Sequence, residues 1–169
     1  MVSVLHRTSC ACAYMGYTLG VGRLVYWSSL EMRSSSGLHE SDADIANEKR
    51  IVEAFAAHCG GKAKYMPKAY PFDAMILKGD KCAFVDARRT SYEIGRFPTR
   101  CLSLQKYVSL KLYAAFAPTF YVIEWADART YYEIKEDSKL PLFYMSRNSG
   151  DPRDNEPCVE IPIADFKRF

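Results

Sequence analysis

The chain has 169 residues, 49% of them apolar and 25% charged, which suits one folded domain large enough to bury its own core. A net charge of +3 is too small to point to a partner, so only the local distribution of charge is informative. No membrane span is expected: residues 8–22 are uncharged, but fifteen residues fall short of the roughly 20 that cross a bilayer as a helix.

Residues 1–36 read as an N-terminal extension of unclear structure. Arg7 and the Ala11-Cys12-Ala13 run faintly resemble a secretory signal, but Tyr, Thr and Gly dilute the apolar segment. Residues 21–27 have strand character. No regular period precedes Met32, which motivates a second reading in which the natural chain starts there. Mass-spectrometric peptides from residues 2–23 of the native protein would remove that reading. The Ser-rich stretch 34–42 then leads, as a linker, into a domain spanning 37–169. The six cysteines, at 10, 12, 59, 82, 101 and 158, form no CxxC pair. Cys10, Cys12 and His6 match no common zinc spacing. The thiols read as reduced, in a protein of the cytoplasm.

Ser41 is placed to cap a helix over residues 42–59, with acids in its first turn and Gly60-Gly61 as its stop. Ile45, Val52, Phe55 and Cys59 make its apolar stripe, and Glu48 falls on that stripe. A carboxylate there is costly unless it meets a cation, either a metal or a neighbouring Lys or Arg. Residues 62–66 are a candidate short strand.

Residues 70–89 carry the most information. Two short apolar runs, 72–77 and 82–85, flank Lys78-Gly79-Asp80-Lys81, and Gly-Asp suits a two-residue hairpin loop with Gly at the position that needs φ > 0. Pairing Lys78 with Lys81 fixes the register and brings Asp73 opposite Asp86. Directly opposed residues have Cβ atoms roughly 4.5–5.5 Å apart, so two carboxylates there repel unless a cation joins them. Arg88 lies two residues beyond Asp86 and shares its face. A divalent ion held by one or two carboxylates, with water and phosphate oxygens completing its shell, would account for the pair. The bland alternative is a different register with two surface acids.

Beyond the hairpin, residues 89–100 are polar, contain Gly95 and Pro98, and read as a loop. Between positions 88 and 111 stand Arg88, Arg89, Arg96, Arg100, Lys106 and Lys111 against the single acid Glu93. Such a local excess suits a polyanion. Tyr92 and Phe97 are candidates to stack on a base of a single-stranded or frayed substrate, or simply to cover the core. Ser103 caps a second helix, to about residue 116, whose buried stripe is expected to be Leu104, Val108, Leu112 and Ala115. That period points Lys106 to solvent. Residues 119–125 read as a central strand, 129–134 as its returning partner, 151–157 as a polar loop and 158–163 as a last short strand. The order α-β-β-α-β-β predicts an α/β (α+β) domain, a mixed central sheet with helices packed on it.

Glu48 on a helix, then Tyr-Pro-Phe-Asp73, Phe-Val-Asp86-Ala-Arg88, a loop with Phe-Pro-Thr, Ser-Leu-Gln-Lys106 and an apolar strand ending in Trp together resemble the PD-(D/E)XK nuclease superfamily, in particular its short phage-encoded members. The resemblance covers residues 42–169 and also takes in the closing Val-Glu-Ile-Pro-Ile-Ala-Asp-Phe. It implies a restriction-endonuclease-like core and metal-dependent hydrolysis of DNA phosphodiesters with Mg²⁺ or Mn²⁺. It makes Asp73 and Asp86 catalytic metal ligands and Glu48 the completing acid, with Arg88 and Lys106 as catalytic cations. Arg89, Arg96, Arg100 and Lys111 are the expected DNA-backbone contacts. Position 88 departs from the family, which has Lys there. Arg keeps its charge but cannot act as a base, so Lys106 is the candidate replacement. Two other readings stay open: a DNA-binding module of nuclease fold that has lost turnover, and a phage structural protein whose acids are incidental. An ammonium at Lys106 within reach of the acids separates the first reading from these. The sequence says nothing about oligomeric state.

Overall fold

The computed structural model describes residues 41–145 and 156–169. The readings made for residues 1–36, including Cys10, Cys12 and His6, lie outside them, as does most of the 151–157 loop.

Helix α1 (Asp42–Cys59) has the expected bounds. Ser41 and Asp44 form a reciprocal capping box, and Gly60 closes the helix at φ 67°, a left-handed conformation that a Cβ would strain. A four-residue strand, β1 (Lys62–Tyr65), pairs antiparallel with β2 (Ala74–Lys78), and β2 pairs with β3 (Lys81–Arg89). The β2–β3 register is the predicted one, Lys78 opposite Lys81, with Gly79 at φ 61° in the turn. β3 then runs parallel to β5 (Thr119–Glu124), which pairs antiparallel with β6 (Arg129–Ile134); the two-residue β9 (Lys167–Arg168) adds to β6. The result is a mixed sheet ordered β1-β2-β3-β5-β6-β9.

A second sheet was not anticipated. The stretch expected to be loop ends in β4 (Thr99–Ser103), which pairs with β8 (Glu156–Pro162), and β8 pairs with β7 (Leu142–Met145). Each pairing joins segments far apart in the chain, and no local turn signal announces them.

The large sheet is covered on both faces. On one, Ile51, Val52, Phe55 and Ala56 of α1 pack on Ala74, Ile76, Val85, Ala87 and Val122. On the other, α2 (Leu104–Ala114) and the small sheet close over Phe84, Tyr121, Ile123, Trp125 and Ile134. The buried face of α2 differs from the expected stripe. Tyr107 and Leu110 are buried, whereas Val108 (47% exposed) and Leu112 (66%) face outward and Ala115 is exposed. The cause is the tyrosines. Tyr113 sets its ring edge-on against Phe72 and Phe84, with centroids 4.8 and 5.0 Å away, and Tyr107 buries its ring while its hydroxyl donates to the Ser138 carbonyl at 2.7 Å. Two aromatic bodies with polar tips outweigh a Val and a Leu in choosing the face.

This face assignment has a direct test in urea unfolding. Leu110→Ala is expected to cost about 2–5 kcal/mol, as a cavity in a closed core does. Leu112→Ala should stay within about 0.5 kcal/mol of the parent, as exposed substitutions do. Equal costs would restore the other stripe.

Candidate active site

Asp86 lies in the middle of β3 and is fully buried. Its neighbours on the sheet are fixed by backbone pairing. Asp73 is the residue just before the β2 ladder begins, and its N–H donates to the Val85 carbonyl at 2.9 Å. The Asp73 carboxylate reaches across to β3, where Oδ2 accepts from the Ala87 N–H at 2.7 Å. Asp73 is thus tied, by one backbone and one side-chain bond, to the residues on either side of Asp86.

The cation that answers them comes from α2. Lys106 sits in its first turn, one residue before buried Tyr107, so the tyrosine-led face turns it inward. Its Nζ lies 2.6 Å from Asp86 Oδ1. The periodicity that sent Lys106 to solvent is corrected here, for the same reason that the stripe was. Arg88 also approaches Asp86, at 4.0 Å, but its NH1 donates to Glu48 Oε1 at 2.6 Å. Glu48 therefore does not join the two aspartates: among the described residues no group of three His, Cys, Asp or Glu side chains is arranged to hold a metal ion. The carboxylate on the α1 stripe is balanced by a guanidinium instead.

Burial, and then the facing Asp86 carboxylate, push Asp73 up to about 7, against the opposite pull of Lys106, the Ala87 N–H and Arg88. The three acids near Arg88, with Asp86 the strongest, hold its guanidinium firmly in the charged form. Neither oxygen of Asp86 receives a hydrogen bond of good angle; the Lys106 contact is an ion pair by distance alone. A buried carboxylate without hydrogen bonds, next to a second acid that resists ionising, is a donor set that a hard divalent ion would relieve.

The four expected backbone contacts divide. Arg89 and Arg96 are exposed near the end of β3, where a nucleic acid could reach them. Arg100 turns inward: it faces the buried Tyr121 hydroxyl, lies 5.9 Å from the centroid of Trp125, and keeps a buried Nε. Lys111 donates to the Ser138 carbonyl at 2.6 Å. Both therefore have neighbours inside the fold.

Sequence reasoning missed a second cationic group. At the end of β5, level with Arg89 in the register, Glu124 receives both terminal nitrogens of Arg50 and, at 2.9 Å, Nε of Arg129, with Arg89 Nε at 3.9 Å. Three guanidiniums around one carboxylate leave a local excess of positive charge. Arg50 on α1 and Arg129 on β6 are far apart in the chain, so no linear signal marked them.

With this geometry in place, comparison with known proteins decides the family. The family model described as "Phage putative PDDEXK endonuclease" matches residues 35–169. The chain belongs to this family. A solved structure similar to it is the Holliday junction resolvase Hjc of Archaeoglobus fulgidus, an archaeal hyperthermophile. The two share 12% identity and a TM-score of 0.46, over 69% of this chain and 82% of that one. No curated protein matches the chain. No helix among the described residues is long and apolar enough to cross a membrane.

The raised Asp73 makes a prediction for the metal-free protein. The folded form keeps a proton that the unfolded chain releases, so this stabilising contribution is complete below about pH 4 and is lost as pH rises to about 7. In thermal melts with chelator between pH 4.5 and 8, Asp73→Asn should flatten that decline relative to the parent. Parallel curves would mean that Asp73 is not buried against Asp86.

Proposed function

We propose that this phage-family protein is a divalent-metal-dependent nuclease that hydrolyses phosphodiester bonds in DNA, with one catalytic domain from about residue 37 onward. The observation that carries the reading is the Lys106 ammonium 2.6 Å from Asp86, beside Asp73. That places a group able to exchange a proton next to two acids, at a position where Arg88 cannot serve as a base.

Asp73 and Asp86 would hold the ion. Mg²⁺ or Mn²⁺ fits hard carboxylate oxygens, with water and substrate oxygens taking the remaining positions. When bound, the ion would lower the pKa of water and polarise the phosphate. The protein's own groups do the rest. Lys106 stands where a phosphate resting against the acids would meet its ammonium and offsets the charge that builds there. Arg88, fixed by Glu48, adds a second preorganised cation without giving up a proton. Arg89 and Arg96, both beyond the same end of β3, contact the phosphates that follow on that side, which positions a strand without reading its sequence. Glu48 acts through Arg88 as a positioning residue.

Purified protein incubated with linear and circular DNA and Mg²⁺ or Mn²⁺ should cut. Asp86→Ala should fall to background. Lys106→Met should lose about 10²–10³-fold in kcat, the range for removing one preorganised electrostatic group. Cutting by Asp86→Ala at the parent's rate would place the site elsewhere. A parent that binds DNA with steep salt dependence but never cuts would favour the binding module of nuclease fold, the reading that the Arg at position 88 motivates.

A further inference from the structure

The loop from β3 to β4 presents two large rings to solvent. Tyr92 is 39% exposed and Phe97 51%. They meet edge to face with centroids 5.6 Å apart, and the Arg96 guanidinium lies 4.7 Å from the first ring and 5.6 Å from the second. The loop that carries them is pinned at several points. The Thr90 N–H donates to the Glu124 carbonyl, the Ala126 N–H to the Tyr92 carbonyl, the Ile94 N–H to Asp127 Oδ1 and the Ile163 N–H to the Pro98 carbonyl, all between 2.8 and 3.0 Å. Ile94 anchors it in the core, and Gly95 turns it at φ 89°. The rings are therefore held outward by a built support, although burying them would have gained hydrophobic free energy.

Position and charge indicate what they meet. The loop leaves β3 directly after Arg88 and Arg89, and Arg89 is three strand residues, about 10 Å, from Asp86. Arg50 and Arg129, gathered on Glu124, lie at the same end of the sheet. Two exposed rings bracketed by guanidiniums suit an aromatic polyanion better than an apolar protein surface. Bases in a continuous duplex offer only their edges, because their faces are stacked on each other. A base outside the stack offers a face, which an aromatic ring or a guanidinium plane accepts whatever the sequence.

We propose that Tyr92, Phe97 and Arg96 form a stacking platform for unpaired nucleobases, so that the substrate class is DNA with single-stranded character beside the cut, such as an arm, a flap or a frayed end. The substrate assignment rests on the nuclease reading above; the platform itself does not. A strand reaching from Asp86 to the platform crosses the Arg88–Arg89 end of β3, and its phosphates run past the arginines while one or two bases turn onto the rings.

Equilibrium binding by the full chain, in chelator so that no strand is cut, tests this. The probes are a single strand carrying 2-aminopurine, a duplex with a single-stranded arm, and a blunt duplex of the same sequence. The parent should quench 2-aminopurine emission. The Tyr92→Ala/Phe97→Ala double variant should lose the quenching and weaken roughly 10-fold or more on the first two probes, in line with the contribution of base–ring stacking, but less than about 2-fold on the blunt duplex. Tyr92→Phe/Phe97→Tyr should behave as the parent, and unchanged melting of both variants excludes a folding defect. Equal losses on all three probes, or parent-like single-strand binding by the double alanine variant, would overturn the platform. Ring-dependent quenching in a protein that never cuts leaves the platform standing and defeats the nuclease reading. Cutting by a protein whose binding ignores the rings does the reverse.

Discussion

A carboxylate with no solvent exposure, on a strand interior, dominates this structure. Asp86 sits in the centre of the sheet between hydrophobic layers, and its charge has to be balanced from close range. The Lys106 contact at 2.6 Å supplies that balance, and Arg88 adds to it at 4.0 Å. Replacing the ion pair by packed apolar residues would often be neutral or stabilising. Its presence in the core is therefore better explained by what the charges do than by what they contribute to stability.

Both helices serve this strand in the same way. Each packs an apolar face on one side of the sheet and sends one charged residue toward β3: Glu48 from α1 to Arg88, and Lys106 from α2 to Asp86. The packing that holds α2 in place, led by Tyr107, Leu110 and Tyr113, is thus also what sets the ammonium against the acid. Core and site share one set of constraints. The small sheet contributes through Leu102, Val159 and Ile161, which fill the space beneath α2.

At the end of the sheet where β3 and β5 stop, the chemistry changes from acids to cations. Glu124 collects Arg50 and Arg129 with Arg89 nearby, and the Tyr92–Phe97 loop rises from the same edge. The acid pair and the cationic end lie along one strand. On the proposed nuclease reading, a phosphodiester chain laid over them would meet the first with its reacting phosphate and the second with the phosphates that follow.

The hairpin register was readable because it is local: a Gly at φ 61° between two lysines sets a ladder that runs to Ala74 opposite Val85, and bonds to Val85 and Ala87 then bring Asp73 to Asp86. The bounds of α1 were readable for a similar reason, since Ser41, Asp44 and Gly60 act within a few residues of the ends they define. The family resemblance also survived, because it rests on the order of such local pieces. The face of α2 was not readable. Val and Leu outvoted Tyr in the periodicity, whereas in the fold aromatic area and the Ser138 carbonyl decided. Strands β4 and β7, the inward turn of Arg100, the capture of Glu48 by Arg88 and the gathering of Arg50 and Arg129 on Glu124 all depend on partners in distant parts of the chain. Short-range steric and hydrogen-bond rules determined which acids stand together. Only the tertiary structure, by choosing which side of α2 is buried, decided which cation they meet.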